Sequence, residues 1–310
     1  MAKRRGVRGG AVLAGVVAAA LAMGGCSALP ADDDQRPKVF TTFTVLADIA
    51  QNVAGDRLNV ESLTKPGAEI HGYEPTPADI RRAAKADLIV NNGLGLENWF
   101  AQFVDHVDAP HVEVSDGVEP IDIAADAYAG KPNPHAWMSP GNAVIYVDNL
   151  VAAFSDLDPD GAEQYRAHGD AYADRLRGLH DELVTALEGL PPEQRALVTC
   201  EGAFSYLARD TGLTERYIWP VNAEQQATPQ QVAATIDFVG DNRVPAVFCE
   251  STVSDKAMQQ VVSATGAQFG GVLYVDSLSE AGGPVPTYLD LIRHDIATIV
   301  GGLTGSGGRP

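Results

Sequence analysis

Short runs of β-branched and other apolar residues alternate along most of the chain with segments whose apolar positions recur at helical spacing. In the first third of the chain, this alternation predicts strands at residues 39–43, 58–63, 88–90 and 111–114. The helices predicted between them cover residues 45–53, 77–86 and 97–107. Strands separated by helices are typical of parallel βαβ units, so this part predicts a first α/β lobe.

The alternation then stops and gives way to a loop and two helical segments. Residues 116–134 are acidic and punctuated by Gly and Pro, which indicates a loop, and residues 143–154 predict a helix. Residues 159–187 predict a longer helix, since its apolar residues recur at helical spacing: Tyr165, Tyr172, Leu176, Leu179, Leu183 and Leu187. Roughly 28 residues at about 1.5 Å each span about 40 Å, so we expect a rigid connecting helix.

A second alternating region follows residue 191. Its predicted strands cover residues 196–200, 217–219, 246–249 and 272–275, and its predicted helices cover residues 204–210, 229–240, 255–265 and 286–301. The predicted fold class is therefore α/β, with two lobes, each a four-stranded parallel sheet flanked by helices, joined by one long rigid helix. We place the N-terminal lobe at residues 38–141, the helical linker at 142–190 and the C-terminal lobe at 191–310.

The N-terminal segment follows a different pattern. Four basic residues precede an apolar run over residues 9–25, which is too short to span a bilayer comfortably. The run closes with Met23-Gly24-Gly25-Cys26, which resembles a lipobox in which Cys26 is lipidated; ordinary signal cleavage beside an incidental cysteine is the alternative. We interpret residues 1–25 as a lipoprotein signal peptide and residues 26–37 as a flexible tether. The expected location is the outer face of the cell membrane.

Charge and cysteine content exclude several classes of function. The 310 residues include 22 Lys and Arg against 41 Asp and Glu, a formal charge of -19, which repels polyphosphate and excludes nucleic acid as a partner. Three cysteines exclude a disulfide scaffold and a four-thiolate zinc site. Cys200 and Cys249 each end a predicted strand of the second lobe. In the strand order 2-1-3-4 usual for such sheets these strands are neighbours, so a disulfide is possible, although cysteines directly across parallel strands fit one only with strain.

Polar residues that follow the predicted strands are candidate ligands, because open parallel sheets bind ligands outside the carboxyl ends of their strands. His71 follows the second strand, Glu201 and Asp276 directly follow strands of the second lobe, and His135 ends the acidic loop. Two imidazoles and two carboxylates could close around one divalent cation. From the residues alone, the histidines could equally be hydrogen-bonded surface residues, and the acidic residues could cap the segments that follow them.

Several segments, in order along the chain, resemble one known family. They are Thr41-Thr42-Phe43, Ala47-Asp48-Ile49, Val53-Ala54-Gly55-Asp56, His71-Gly72-Tyr73-Glu74-Pro75-Thr76-Pro77-Ala78-Asp79-Ile80, Ala86-Asp87-Leu88-Ile89-Val90, Asn92-Gly93-Leu94-Gly95-Leu96-Glu97, Asn133-Pro134-His135-Ala136-Trp137-Met138, Cys200-Glu201-Gly202-Ala203-Phe204, Thr228-Pro229-Gln230-Gln231 and Asp276-Ser277-Leu278. From about residue 38 to residue 303, the chain resembles the metal-binding lipoproteins of bacterial ABC importers, the zinc/manganese solute-binding group.

The resemblance implies one metal ion in the cleft between the lobes, held by His71, His135, Glu201 and Asp276. It also implies delivery of that ion to a membrane permease driven by a cytoplasmic ATPase. The chain departs from zinc members of the group in two ways. Its third ligand is a glutamate where they commonly carry a histidine, and residues 116–134 include no His-rich stretch. Carboxylate oxygens suit Mn²⁺, so we expect Mn²⁺ as the transported ion, with Zn²⁺ or Fe²⁺ as alternatives.

Three other functions compete with a manganese receptor. They are a zinc-specific receptor of the same architecture, a surface adhesin that uses the metal for stability, and a metallohydrolase with an open site. The sequence includes neither His-Glu-x-x-His nor Gly-x-Ser-x-Gly, so the usual motifs of metalloproteases and hydrolases are missing. A filled four-ligand shell would leave no open position for a substrate water. We therefore expect a monomeric binding protein and not an enzyme.

Overall fold

The first lobe is a parallel sheet with helices packed against it. In the computed structural model, its elements are β1 (Lys38–Thr41), α1 (Thr44–Ala54), β2 (Asn59–Ser62), α2 (Pro77–Ala83), β3 (Leu88–Asn91) and β4 (His111–Glu113). The strands lie in the order β2-β1-β3-β4 and all neighbouring pairs are parallel. The chain reverses its direction of winding between β1 and β3, and the carboxyl ends of these strands flank the crevice where such sheets bind ligands.

The structure describes residues 35–99, 109–124, 128–221 and 227–305. The predicted signal peptide, Cys26 and most of the predicted tether lie outside these residues, as does most of the helix predicted at 97–107. The strands and helices of both lobes belong to one compact unit, residues 36–310. Within the described part of the chain, no helix combines the length and apolarity needed to cross a membrane.

Two long helices connect the lobes. They are α3 (Pro140–Leu157) and α4 (Ala162–Glu188), and the second is 27 residues long, or about 40 Å. The buried face of α4 includes every position that helical spacing predicts: Tyr165, Tyr172, Leu176, Leu179, Leu183 and Leu187. This face packs against α1 of the first lobe, against α3 and against the last helix of the second lobe. The predicted connecting helix is therefore a buried strut shared by both lobes.

The second lobe repeats the βα alternation. Its elements are β5 (Ala196–Glu201), α5 (Ser205–Thr211), β6 (Thr214–Trp219), α6 (Pro229–Asn242), β7 (Ala246–Glu250), α7 (Lys256–Thr265), β8 (Gln268–Leu273) and α8 (Tyr288–Thr304). β5 pairs with β6 and β7 pairs with β8, both in parallel. The predicted α/β class with two lobes and one long connecting helix is confirmed.

The four strands of the second lobe form two hydrogen-bonded pairs rather than one continuous ladder in the part of the chain that the structure describes. β5 and β7 lie side by side at the junction of the pairs. There, the backbone N–H of Glu201 donates to Oε2 of Glu250 at 3.1 Å, whereas a regular ladder would supply a backbone carbonyl. The side chains of Cys200 and Cys249 also meet at this junction. Between β5 and β7, these side-chain contacts thus stand where a regular sheet would have backbone hydrogen bonds.

The last strand of the second lobe is displaced from its predicted position. The apolar run predicts residues 272–275, but β8 covers Gln268–Leu273 and shifts register against β7 between Val247 and Phe248. Two glycines allow this course. A side chain at Gly270 would collide with the Phe248 ring, and Gly271 has a positive φ of 138°. Asp276 therefore lies beyond the loop that leaves β8, and not directly after the strand as expected.

Candidate metal centre

The four predicted ligands converge in one buried cluster between the lobes. Nε2 of His71 lies 3.0 Å from Nε2 of His135, 3.4 Å from Oε1 of Glu201 and 3.9 Å from Oδ1 of Asp276. Nε2 of His135 lies 4.0 Å and 3.8 Å from the same two oxygens. The side chain of His71 is 5% exposed, and the other three are at most 1% exposed.

These distances suit a single ion among the four donors. In a tetrahedral site with bonds of about 2.1 Å, neighbouring donor atoms are separated by about 3.4 Å. The distances from the imidazole nitrogens, which range from 3.0 to 4.0 Å, bracket that value. In addition, Oδ1 of Asp276 is buried and has no hydrogen-bond partner among the described residues, while Oδ2 accepts a bond from Thr252 at 3.3 Å. A cation would satisfy this oxygen. The residues present therefore fit a divalent metal ion.

His71 is held by the turn in which it lies, between β2 and α2. The carboxylate of Glu69 accepts the backbone N–H of His71 at 2.7 Å and that of Gly72 at 3.0 Å. The imidazole of His71 also lines a pocket of about 330 Å³, with Leu94 and Lys131 among its other walls. His71 is thus the donor of the cluster that is closest to open space.

His135 is fixed from its other ring nitrogen. Oδ1 of Asn133 lies 2.8 Å from Nδ1 of His135 and also accepts the backbone N–H of His135 at 3.0 Å. The ring of Trp137 lies 5.1 Å from that of His135, centre to centre, and its Nε1–H donates to the carbonyl of Val275 at 3.1 Å. Trp137 therefore links His135 of the first lobe to Val275, the residue that precedes Asp276 in the second lobe.

Glu201 is the last residue of β5, a strand whose residues are all buried. Its backbone N–H bonds to Glu250, and Oε1 of Glu250 is buried without a hydrogen-bond partner in the described part of the chain. Burial raises the pKa of Glu250 to about 8, so its carboxyl is mainly protonated at neutral pH. Glu250 therefore supports the backbone of Glu201 without adding a full charge beneath the cluster.

The charges of the cluster shift the pKa values of the two histidines in opposite directions. Burial lowers the pKa of His71, but the carboxylates of Glu201, Asp276 and Glu69 outweigh it, and the pKa is raised overall. Burial and the neighbouring His71 lower the pKa of His135 well below its usual value. These carboxylates thus favour positive charge at His71, whose Nε2 lies 3.0 Å from Nε2 of His135. A divalent cation among the four donors would balance the charges of the two carboxylates and bring the cluster close to neutrality.

A turn after β3 supports the loop that carries His135. The carboxylate of Glu97 accepts the N–H groups of Asn92 at 2.6 Å and Gly93 at 3.2 Å. Nδ2 of Asn92 in turn donates to the carbonyl of Pro134 at 3.0 Å. Burial raises the pKa of Glu97 to about 7. The segment from Asn92 to Glu97 is therefore a structural turn that supports the loop of His135.

Cys200 and Cys249 belong to the apolar core of the second lobe. Their Cα atoms are 4.9 Å apart and their sulfur atoms are in contact, a separation that a disulfide spans. The strands that carry them, β5 and β7, are neighbours as expected, and the disulfide itself stays a prediction. A carboxylate oxygen of Glu250 lies within 4.8 Å of the sulfur atoms of both cysteines.

Two supporting residues were not predicted from the sequence. Glu69 and Asn133 each precede a clustered histidine by two positions, and each accepts the backbone N–H of that histidine. A polar acceptor that bonds to the backbone two residues ahead is a local pattern of turns. The shared spacing in Glu69-Ile70-His71 and Asn133-Pro134-His135 is a signal from which both could have been found.

Two α/β lobes, a long shared helix and a buried cluster of two imidazoles and two carboxylates between the lobes define a class of two-lobed solute-binding proteins. The family model described as zinc-uptake complex component A, periplasmic, matches residues 39–302. The chain belongs to this family. The match confirms the resemblance that the sequence motifs indicate.

The relatives are named for different metals. The chain is 54% identical over 274 residues to the iron-binding protein YfeA of Yersinia pestis, covering 88% of each chain. It is 32% identical over 277 residues to the manganese ABC transporter substrate-binding lipoprotein PsaA of Streptococcus pneumoniae, covering 87% of this chain and 90% of that one. Among solved structures, the Mn-bound periplasmic metal binding protein from Candidatus Liberibacter asiaticus aligns with a TM-score of 0.82 at 39% identity, covering 86% of this chain and 100% of that chain.

Proposed function

We propose that the protein is the extracytoplasmic receptor of an ABC importer, which captures one divalent transition metal ion and delivers it to a membrane permease and its ATPase. The observation that carries the proposal is the buried cluster, in which the nitrogens of His71 and His135 lie within 4.0 Å of oxygens of Glu201 and Asp276. The names of the relatives, which include metal ABC transporter substrate-binding lipoproteins, support the same function.

Mn²⁺ is the ion that we propose for this site. Two carboxylates beside two imidazoles form a harder and more anionic donor set than three imidazoles would, and hard oxygen donors suit Mn²⁺. The Mn-bound structure of a 39% identical protein supports this choice. Fe²⁺ is the second candidate, because the 54% identical relative is named an iron-binding protein. Zn²⁺ binds most such sites more tightly than Mn²⁺, so supply and release must contribute to selectivity.

We also propose a membrane anchor, a monomeric state and a non-catalytic role for the receptor. Lipidation at Cys26 would tether the receptor to the outer face of the membrane, and the names of several relatives as lipoproteins support this location. The receptor would act as a monomer. It would catalyse no reaction, since four protein donors fill a tetrahedral shell and leave no position for a reacting water.

The test is metal analysis followed by competition. Protein purified without added metal is analysed for its metal content, then stripped and titrated calorimetrically with Mn²⁺, Fe²⁺ and Zn²⁺. The double variant His71→Ala, Asp276→Ala should lose binding of all three ions. The matched control His111→Ala, Asp116→Ala removes the same residue types from exposed positions outside the cluster and should bind like the parent.

Two outcomes would contradict the proposal. Unchanged metal binding in the cluster variant would refute the assignment of the site. Growth of a deletion strain in manganese-poor medium, equal to that of the parent strain, would favour the adhesin, since loss of an importer's receptor must lower metal uptake.

A further inference from the structure

Glu69 lies beside two of the four clustered donors without being one of the four. Glu69, His71 and Asp276 each present a donor atom within 4.8 Å of the donor atoms of the other two. Oδ1 of Asp276 is buried and has no hydrogen-bond partner in the described part of the chain. His71 thus belongs to this set and to a set with His135 and Glu201. Oδ1 of Asp276 links the two sets, because it lies within 3.9 Å of Nε2 of both histidines.

The carboxylate of Glu69 is held in place before any ion arrives. One oxygen accepts the N–H of His71 at 2.7 Å, and the other accepts the N–H of Gly72 at 3.0 Å. A carboxylate has about four acceptor positions, so both oxygens keep a lone pair for a cation. Because the backbone fixes Glu69, it contributes a donor at little cost in side-chain entropy.

Glu69 and His71 have more access to solvent than the other donors. Glu69 and His71 are partly buried, whereas His135, Glu201 and the shared Asp276 are at most 1% exposed. A hydrated ion must therefore reach His71 before it reaches His135. Glu69 also adds a third carboxylate to this side of the cluster, and a concentration of negative charge attracts cations and raises their association rate.

We propose that Glu69, His71 and Asp276 form an outer metal site, which binds the incoming divalent cation before it passes to the four-donor cluster. The outer site takes hard divalent ions such as Mn²⁺, whose remaining positions stay filled by water. His71 and Asp276 remain bound during the transfer, while His135 and Glu201 replace the carboxylate of Glu69 and water. This inference rests on the proposed function, because it assigns a route into the same cluster.

The proposal predicts a kinetic effect that an equilibrium measurement would miss. An ion leaves by the route through which it enters, so a site on that route raises the association and dissociation rates together. The experiment compares Glu69→Gln with Glu74→Gln, which removes the same charge from an exposed position in the same loop. Rates of Mn²⁺ binding to stripped protein are followed by stopped-flow tryptophan fluorescence, for which Trp137, 5.1 Å from the ring of His135, is the reporter.

We expect Glu69→Gln to lower both rate constants by about tenfold, with a change of less than about threefold in Kd. Glu74→Gln should leave both rates near those of the parent. Equal rates in the two variants would overturn the outer site. A weaker Kd that arises from faster dissociation alone would also overturn it, because Glu69 would then only support His71 within the cluster.

Glu69→Asp separates the charge of Glu69 from its role in the turn. This variant keeps a carboxylate, so partial recovery of the association rate supports the outer site. The same loss of rate in both variants, together with a lower unfolding midpoint of the metal-free protein in both, would assign the effect to the turn and overturn the proposal. Absence of equilibrium binding of Mn²⁺, Fe²⁺ and Zn²⁺ by the parent would instead refute the proposed function itself.

Discussion

Oδ1 of Asn133 accepts both the backbone N–H of His135, at 3.0 Å, and the ring Nδ1–H of the same residue, at 2.8 Å. A backbone nitrogen can only donate, so the side-chain atom that faces it must be the amide oxygen, and the ring must carry its proton on Nδ1. Nε2 of His135 is then left with a lone pair. The amide nitrogen of Asn133 donates to the carbonyl of Gly202 at 2.6 Å. One side chain thus orients His135 and holds the residue that follows Glu201.

Asn133→Ala should weaken metal binding about 10- to 100-fold, the usual cost of losing a residue that orients a metal ligand. Asn133→Asp keeps an acceptor for His135 but places a carboxylate oxygen against the carbonyl of Gly202, so we expect an intermediate loss. The affinities are measured by calorimetric titration of stripped protein with Mn²⁺. Asn149→Ala is the matched control, because Asn149 bridges the carbonyls of Val114 and Asp116 away from the cluster. Parental affinity in Asn133→Ala would show that His135 needs no such support.

Trp137→Phe should reduce both stability and metal affinity. The substitution leaves the buried carbonyl of Val275 without its donor and removes part of a fully buried ring. Together these changes should lower the free energy of unfolding by about 2–4 kcal/mol, measured by denaturant titration. Trp219→Phe is the control, since Trp219 is also buried but its Nε1 makes no hydrogen bond among the described residues. Equal metal affinities in the two variants would argue against a role for the bond to Val275.

Local pattern predicts the fold class and marks residues near strand ends as candidate ligands, whereas the four-ligand cluster is predicted only with the family resemblance. The apolar stripe from Tyr165 to Leu187 predicts the buried face of the strut, and the apolar run before Glu201 predicts a buried strand that ends at a polar residue. His135 lies in a loop, which has no periodicity that places it, so its position in the cluster is predicted by the family resemblance and not by local pattern.

The errors have tertiary causes. Gly270 and Gly271 disfavour a strand by propensity, yet β8 includes both, since β7 supplies the pairing and the Phe248 ring fills the space beside Gly270. Where the second sheet divides into two pairs, the side chain of Glu250 takes the place of a backbone acceptor for Glu201. Neither contact is visible in a pattern of apolar positions, because each joins segments far apart in the chain.

The cysteine pair leads to a prediction about stability under reducing conditions. If Cys200 and Cys249 are bonded, thiol titration of the denatured protein should find two more thiols after reduction than before. Reduction should then lower the free energy of unfolding by about 2–4 kcal/mol, since the bond closes a loop of roughly 50 residues. The double variant Cys200→Ser, Cys249→Ser should be insensitive to reductant. An identical thiol count before and after reduction would contradict the disulfide.

A further prediction concerns the pH dependence of stability at the junction of α3 and α4. Nε of Arg57 donates to Oδ2 of Asp158 at 2.7 Å, and a second guanidinium nitrogen donates to Oδ1 at 3.0 Å. The hydroxyl of Tyr165 donates to the same carboxylate at 2.7 Å. These bonds, that of Arg57 foremost, lower the pKa of Asp158 below its usual value. The carboxylate therefore ties the first lobe to the start of the strut.

The sign of the effect follows from the lowered pKa of Asp158. A carboxyl whose pKa is lower in the folded than in the unfolded protein stabilises the fold above the unfolded value of about 3.9, and this stabilisation is lost as the pH falls through the folded value. Asp158→Asn should thus be less stable than the parent at pH 7, and the difference should shrink as the pH falls below about 4. Unfolding by urea between pH 7 and pH 3 measures it, with Asp174→Asn, whose partner Arg177 is exposed, as the control. A difference that stays constant over this range would mean that Asp158 acts through the geometry of its hydrogen bonds and not through its charge.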